Sequence, residues 1–313
     1  MLRYPRLANH PAVFRAMTGL TVAEFDRLAA DLREPFAQAE RARLSRDNRQ
    51  RAIGAGARFT FTPRDQLLCT VIWLRQYPTN EALAYFFGVS DSTVSRAIAR
   101  WLALLEQAGQ DTMRRPDPGR KHRRQVDALL ADQPALVVLV DTFEQPVQRP
   151  KARGEADRHY SGKKKRHTLK SQVAINEITG QVVDIAPSVP GPTADITLLK
   201  DSKLLDRLPQ GVGMGGDLAY VGADKLHPAG LAATPRRKPR GQERPAADIE
   251  YNRAFARRRV GVEHTIGRLR RYQALTQVDR HHRQHHTARV RAVAGLVNRR
   301  LQRWEAYRLR QAA

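Results

Sequence analysis

Three acidic residues, Asp141, Asp217 and Glu263, stand in contexts that could bring their carboxylates together, in a chain of 313 residues with formal net charge +24. Asp141 follows the apolar run Ala135–Val140, so its side chain is expected where a buried strand stops. Asp217 follows Gly211–Gly216, a run whose glycines permit close backbone approach. If the two runs are neighbouring strands of one sheet, both carboxylates fall on a common edge, where α/β sheets carry ligands. Two carboxylates so placed are costly to keep ionised without a cation. A hard, oxygen-preferring ion such as Mg²⁺ relieves the repulsion and takes phosphate oxygens in its remaining positions. Glu263 is expected on a helix from Asp248 to Tyr272, with Arg259, Gly267 and Arg270 on the same face. An acid flanked by two guanidiniums suits a metal-bound phosphate. Taken alone, Glu263 reads better as part of an ordinary surface ion-pair face.

The elements that must position these acids form an α/β domain behind an α-helical N-terminal domain. Thr21-Val22-Ala23-Glu24 is a capping box that opens a helix from Val22 to Leu32. A basic segment from Arg41 to Arg58 reads as a mobile connection, and Thr62-Pro63 starts a helix to about Arg75. Within its apolar run, Cys69 is expected to be a small buried hydrophobe. Thr79 caps a short helix that meets a Gly88 turn, and Ser90 caps a second helix with Val94, Ile98 and Trp101 at helical spacing. This helix-turn-helix pattern presents Ser92, Thr93, Ser95 and Arg96 near a helix N-terminus, where such helices meet base edges and phosphates. The expected domains are residues 1–112, a linker 113–134 whose Arg114–Arg124 stretch is rich in Pro, Gly and basic residues, and residues 135–313. In the last, a hairpin over His167–Ser188, a helix over Thr193–Leu208, and strands over Gly211–Asp217 and Leu231–Thr234 lead to the Glu263 helix.

Lys and Arg number 55 against 31 Asp and Glu, an imbalance that points to a polyanionic partner, nucleic acid first. No apolar stretch approaches a membrane span and no signal peptide is evident, so an intracellular, soluble protein is expected. Lys163, Lys164, Lys165 and Arg166 precede a strand and read as contacts to a DNA backbone. Asp195 reads as a first-turn helix acid with Thr193 as its cap. His281, His282, His285 and His286 include pairs at i and i+4 that could clamp a metal if helical, though an Arg-rich setting favours DNA contact.

Five blocks in order carry a family resemblance: Asp141–Pro150, Tyr160–Thr168, Pro190–Asp195, Gly216–Gly222 and Arg259–His264. Over about residues 62 to 300 the chain resembles the DDE insertion-sequence transposases of the IS-five group, related to the Harbinger nucleases. The resemblance implies an RNase H-like catalytic domain behind the helix-turn-helix domain. It implies Asp141, Asp217 and Glu263 as catalytic ligands of two Mg²⁺ or Mn²⁺ ions, and Arg259 and Arg270 as basic, DNA-facing positions. Double-stranded DNA, both transposon ends and target, becomes the expected partner, bound by a homodimer at the bacterial nucleoid. The sequence departs from the family's pattern at Arg270, where lysine is usual, at Ala256 for tyrosine, and at Ala219 for glycine. A non-catalytic DNA-binding relic and an endonuclease without strand transfer are the alternatives.

Overall fold

The computed structural model describes residues 1–45, 52, 60–116 and 136–312. By packing they form two compact units, residues 1–108 with 271–275, and residues 109–270 with 276–313. Most of the linker expected over 113–134, and of the Arg46–Arg58 part of the basic connection, lies outside the described residues.

The first unit is helical. Helices α1 (Tyr4–Ala8), α2 (Pro11–Thr18), α3 (Val22–Asp31) and α4 (Arg33–Leu44) precede α5 (Pro63–Gln76), α6 (Asn80–Phe87) and α7 (Asp91–Gln110). Thr21 and Glu24 close the expected capping box at α3, and Thr62 accepts from the Asp65 amide at α5. The connection expected from Arg41 is helical through Leu44, because α4 continues from α3 with only Leu32 between them. Cys69 is fully buried on α5. Gly88 takes the left-handed conformation (φ 62°) that ends α6 and turns the chain into α7.

The second unit is built on a seven-stranded mixed sheet in the order β2-β3-β1-β6-β7, with β4 and β5 also on β3. The strands are β1 (Leu136–Pro146), β2 (Tyr160–Ser161), β3 (Arg166–Asn176), β4 (Val182–Ile185), β5 (Val189–Pro190), β6 (Gly213–Gly215) and β7 (Ala232–Ala233). The strand expected to stop at Val140 runs on to Pro146, so Asp141 sits mid-strand. Antiparallel β3 pairs with it throughout, from Val138 opposite Asn176 to Pro146 opposite Thr168. A strand ends where its partner ends, and an apolar run reports only burial on both faces. Parallel β6 covers the other edge of β1 only as far as Leu139 opposite Gly215.

Helices cover both faces. Val138, Val140 and Ala174 pack with Leu199 of α9 (Asp195–Ser202), Met214 and Tyr220. On the opposite face, Gly261 of α11 (Ala246–Leu269) lies over Leu139 and Ile175, where an added Cβ would stand 3.9 and 3.6 Å from their side chains. The short helices α8 (Arg153–His159) and α10 (Ala223–Leu226) connect strands, and α12 (His286–Ala312) closes the chain. The helix expected over Thr193–Leu208 ends at Ser202, where Lys203 turns left-handed (φ 50°) before a 3₁₀ turn at Leu205–Arg207. The strands expected over Gly211–Asp217 and Leu231–Thr234 shrink to three and two residues, because their glycines and short connections leave little to pair.

Candidate functional site

Sheet register brings the first two acids alongside each other. Leu139 of β1 pairs with Gly215 of β6, and two residues further along these parallel chains stand Asp141 and Asp217. Asp217 caps the 3₁₀ turn Leu218–Tyr220, its Oδ1 accepting from the Ala219 amide at 2.9 Å. Gly216 before it has no alternative, since a Cβ there would lie 2.6 Å from the Tyr220 ring.

Asp141 Oδ1 accepts from the Thr142 amide at 2.7 Å, and Arg259 Nη2 donates to Oδ2 at 3.0 Å. Burial is the largest influence on this carboxyl and raises its pKa; the Thr142 amide and Arg259 oppose it, while Asp217 and Asp195 add to it. The net shift is upward, because burial outweighs the Thr142 amide and the single guanidinium of Arg259. Glu263 projects from α11 with 59% of its side chain exposed, 3.9 Å from Arg259 Nη1. Arg259 thus spans two of the three acids.

A cleft of about 300 Å³ opens here, lined among others by Asp141, Glu144, Lys163, Lys164, Glu263 and Arg270. Lys163 and Lys164 reach it from the turn between β2 and β3, where Lys165 takes φ 52°. Asp217 is not among the lining residues and approaches from the β6 side. Among the described residues, no three His, Cys, Asp or Glu groups converge closely enough to hold an ion. The donors nevertheless fit a hard cation in kind, all carboxylate oxygens. The hydroxyl of fully buried Tyr220 has no hydrogen-bond partner, and burial, then Asp195, Asp141 and Asp217, push its pKa up.

Three neighbours, Glu144, Asp195 and Lys170, were not expected at the site. Glu144 Oε2 accepts from Thr168 Oγ1 at 2.6 Å, and Gly191 is packed so tightly on this pair that a Cβ would stand 1.8 Å from Thr168 Oγ1. Asp195, expected only as a helix acid, is held by Lys170 Nζ at 2.7 Å. Nothing local marked Lys170, which lies opposite Glu144 by pairing.

The histidine segment departs from expectation. Arg283–His285 is a 3₁₀ turn and α12 begins at His286, so the i, i+4 pairs share no helix. His286 is fully buried, with Nδ1 2.7 Å from Ser188 Oγ and Nε2 2.9 Å from Gln145 Oε1, which removes it from DNA. Gln145 Nε2 donates to the Gln277 carbonyl, so its oxygen faces the ring, and Nε2 carries the proton. Burial first, and then Arg289, lower the His286 pKa to about 3. The folded state therefore binds this proton more weakly than the unfolded chain, and stability falls as pH drops from about 6.5 toward 3. His286→Gln is expected to flatten that fall by up to about 1.4 kcal/mol per pH unit in denaturant titrations. An unchanged slope would show that His286 is not the acid-sensitive group.

In the helical unit, Val94, Ile98 and Trp101 are buried and Ser92, Ser95 and Arg96 exposed, with Thr93 partly so. Ser90 Oγ accepts from the Thr93 amide at 3.2 Å and thereby caps α7. Arg96 lies along the outer face, 3.5 Å from both Ser92 Oγ and Thr93 Oγ1. Arg96→Ala is expected to lower DNA affinity and reduce the log-log salt slope by about one unit if Arg96 neutralises a phosphate. A changed affinity with the slope intact would place it on a base instead.

Paired acids on a mixed sheet, basic groups lining a cleft and a separate helical unit with a helix-turn-helix are the features on which a family comparison bears. The family model of the DDE superfamily endonucleases matches residues 140–298, and that of the helix-turn-helix of DDE superfamily endonuclease matches residues 61–111. The chain belongs to the DDE superfamily of endonucleases and transposases, whose members use divalent metal ions. A protein of Microchaete diplosiphon described as "Probable transposase for insertion sequence element IS702" is 27% identical over 279 residues, covering 89% of this chain and 95% of that protein. No solved structure matches. Among the described residues, no helix is long and apolar enough to cross a membrane.

Proposed function

We propose that this protein is an insertion-sequence transposase that binds terminal inverted repeats and cuts and joins DNA with two Mg²⁺ or Mn²⁺ ions at Asp141, Asp217 and Glu263. The observation that carries the proposal is the parallel β1–β6 register, which sets Asp141 beside Asp217 under the helix bearing Arg259 and Glu263. On this reading the sheet is RNase H-like, residues 1–112 are the DNA-binding domain, 113–134 the linker and 135–313 the catalytic domain. A homodimer holds the two ends at the nucleoid.

When bound, the ions polarise the phosphoryl group and supply an activated oxygen nucleophile. The chain's own groups do the rest. Ser92, Thr93, Ser95 and Arg96 set the helix-turn-helix on the end sequence. Lys163 and Lys164 draw the phosphodiester into the cleft, Lys165 and Arg166 hold the backbone beside it, and Arg259 and Arg270 bear on the phosphate from α11. In hydrolysis, water oxygen bonds to phosphorus, the P–O3′ bond breaks, and the 3′ oxygen leaves protonated. In joining, the oxygen of that 3′-hydroxyl bonds to a target phosphorus, the target's own P–O3′ bond breaks, and the proton lost by the attacking hydroxyl is balanced by one taken up on the departing target 3′ oxygen.

The test is incubation of the full chain and Mg²⁺ with duplexes carrying the DNA that flanks its gene. Expected are nicks at the element's ends and products joined to target. Cleavage without joined products would reduce the function to an endonuclease. Binding without cleavage in either Mg²⁺ or Mn²⁺ would contradict the catalytic assignment.

A further inference from the structure

Arg259 has more to do than face DNA. Its Nη2 lies 3.0 Å from Asp141 Oδ2 and its Nη1 3.9 Å from Glu263 Oε1, so one guanidinium spans both carboxylates. The side chain is 14% exposed and its buried Nε has no partner, so only the far end of the fork is engaged. The other Asp141 oxygen is taken by the Thr142 amide. A divalent ion approaching Asp141 therefore meets an engaged carboxylate and a like charge. Guanidinium pairs with carboxylate and with phosphate through the same planar fork, so it can exchange one for the other with little loss. Both carboxylates that Arg259 spans line the cleft, although Arg259 itself does not, and Lys163, Lys164 and Arg270 there would gather a phosphate beside Glu263.

We infer that Arg259 couples the two ligands: guanidinium and divalent ion compete for Asp141, and a DNA phosphate draws the guanidinium away. DNA then raises metal affinity, and by thermodynamic reciprocity metal raises DNA affinity by the same factor. The protein loads cations chiefly when a strand is in place. The inference rests on the metal reading of Asp141 proposed above.

The experiment is Mn²⁺ binding to the full chain, followed by water-proton relaxation, with and without a short mixed-sequence duplex. The parent should bind Mn²⁺ about tenfold more tightly with the duplex, a coupling of ordinary size. Arg259→Gln should bind it about tenfold more tightly than the parent without DNA and gain little from the duplex. Arg259→Lys keeps the charge but cannot span both carboxylates, and should fall between; it also serves if the glutamine variant fails to fold. Unchanged or weaker Mn²⁺ binding in the variants, or no duplex effect in the parent, overturns the inference. Asp141→Asn separates the two failures. If it binds Mn²⁺ like the parent, the metal site itself is misassigned; if it loses Mn²⁺ while the Arg259 variants gain nothing, only the exchange fails.

Discussion

Asp141→Asn is expected to cut metal-dependent DNA cleavage by about a thousandfold or more, since a catalytic ion contributes several kcal/mol and each 1.36 kcal/mol is a decade in rate. Asparagine keeps the shape and removes the charge; its single oxygen can still accept from the Thr142 amide, while its amide nitrogen cannot accept from Arg259, which is left with Glu263 nearby. The fold should tolerate it well. Burial and neighbouring acids raise the Asp141 pKa, so the folded state holds the proton more tightly than the unfolded chain. Ionisation of Asp141 therefore costs stability as pH rises through the carboxylate range, and a neutral side chain avoids that cost at neutral pH. With a chelator present, the variant should melt no lower than the parent. A variant that still cuts within about tenfold of the parent would remove Asp141 from the chemistry.

The largest stability effect is expected away from the acids. Arg289 of α12 and Asp279 form an ion pair with side chains only 1% and 0% exposed. The Asp279 amide also donates to the Pro146 carbonyl at 2.8 Å, so the pair ties α12 to the end of β1. Asp279→Ala leaves a buried guanidinium uncompensated, which costs about 3–5 kcal/mol. Replacing both partners, as Asp279→Ala with Arg289→Met, should return most of it, because the pair's own net contribution is small. Chemical denaturation of the three proteins checks this. A single variant within about 1 kcal/mol of the parent would show that water or another group reaches Arg289.

Local chemistry made the helical unit legible. Thr21, Thr62, Thr79 and Ser90 each accept from a backbone amide at a helix start, and Gly88 takes the φ its turn requires. These signals act over three or four residues and survive in a single sequence. The placement of Asp141 beside Asp217 was legible only as a condition on strand pairing, which sequence cannot settle for a three-residue strand such as β6. The full length of β1 was hidden because its apolar run stops at Val140, and only pairing with β3 carries the strand on to Pro146. Glu144, Lys170 and Asp195 were not recognisable as neighbours for the same reason. His286 looked like one of four equivalent rings, yet its burial depends on Ser188 and Gln145, 98 and 141 residues away.

The most direct measurement is X-ray diffraction at the manganese edge from crystals grown with Mn²⁺ and a bound duplex. The account predicts anomalous peaks about 2.0–2.3 Å from carboxylate oxygens of Asp141 and Asp217, with Glu263 completing the site and Arg259 turned to a phosphate. Manganese bound elsewhere, with Asp141 still paired to Arg259 in a crystal form that cuts DNA, would contradict it.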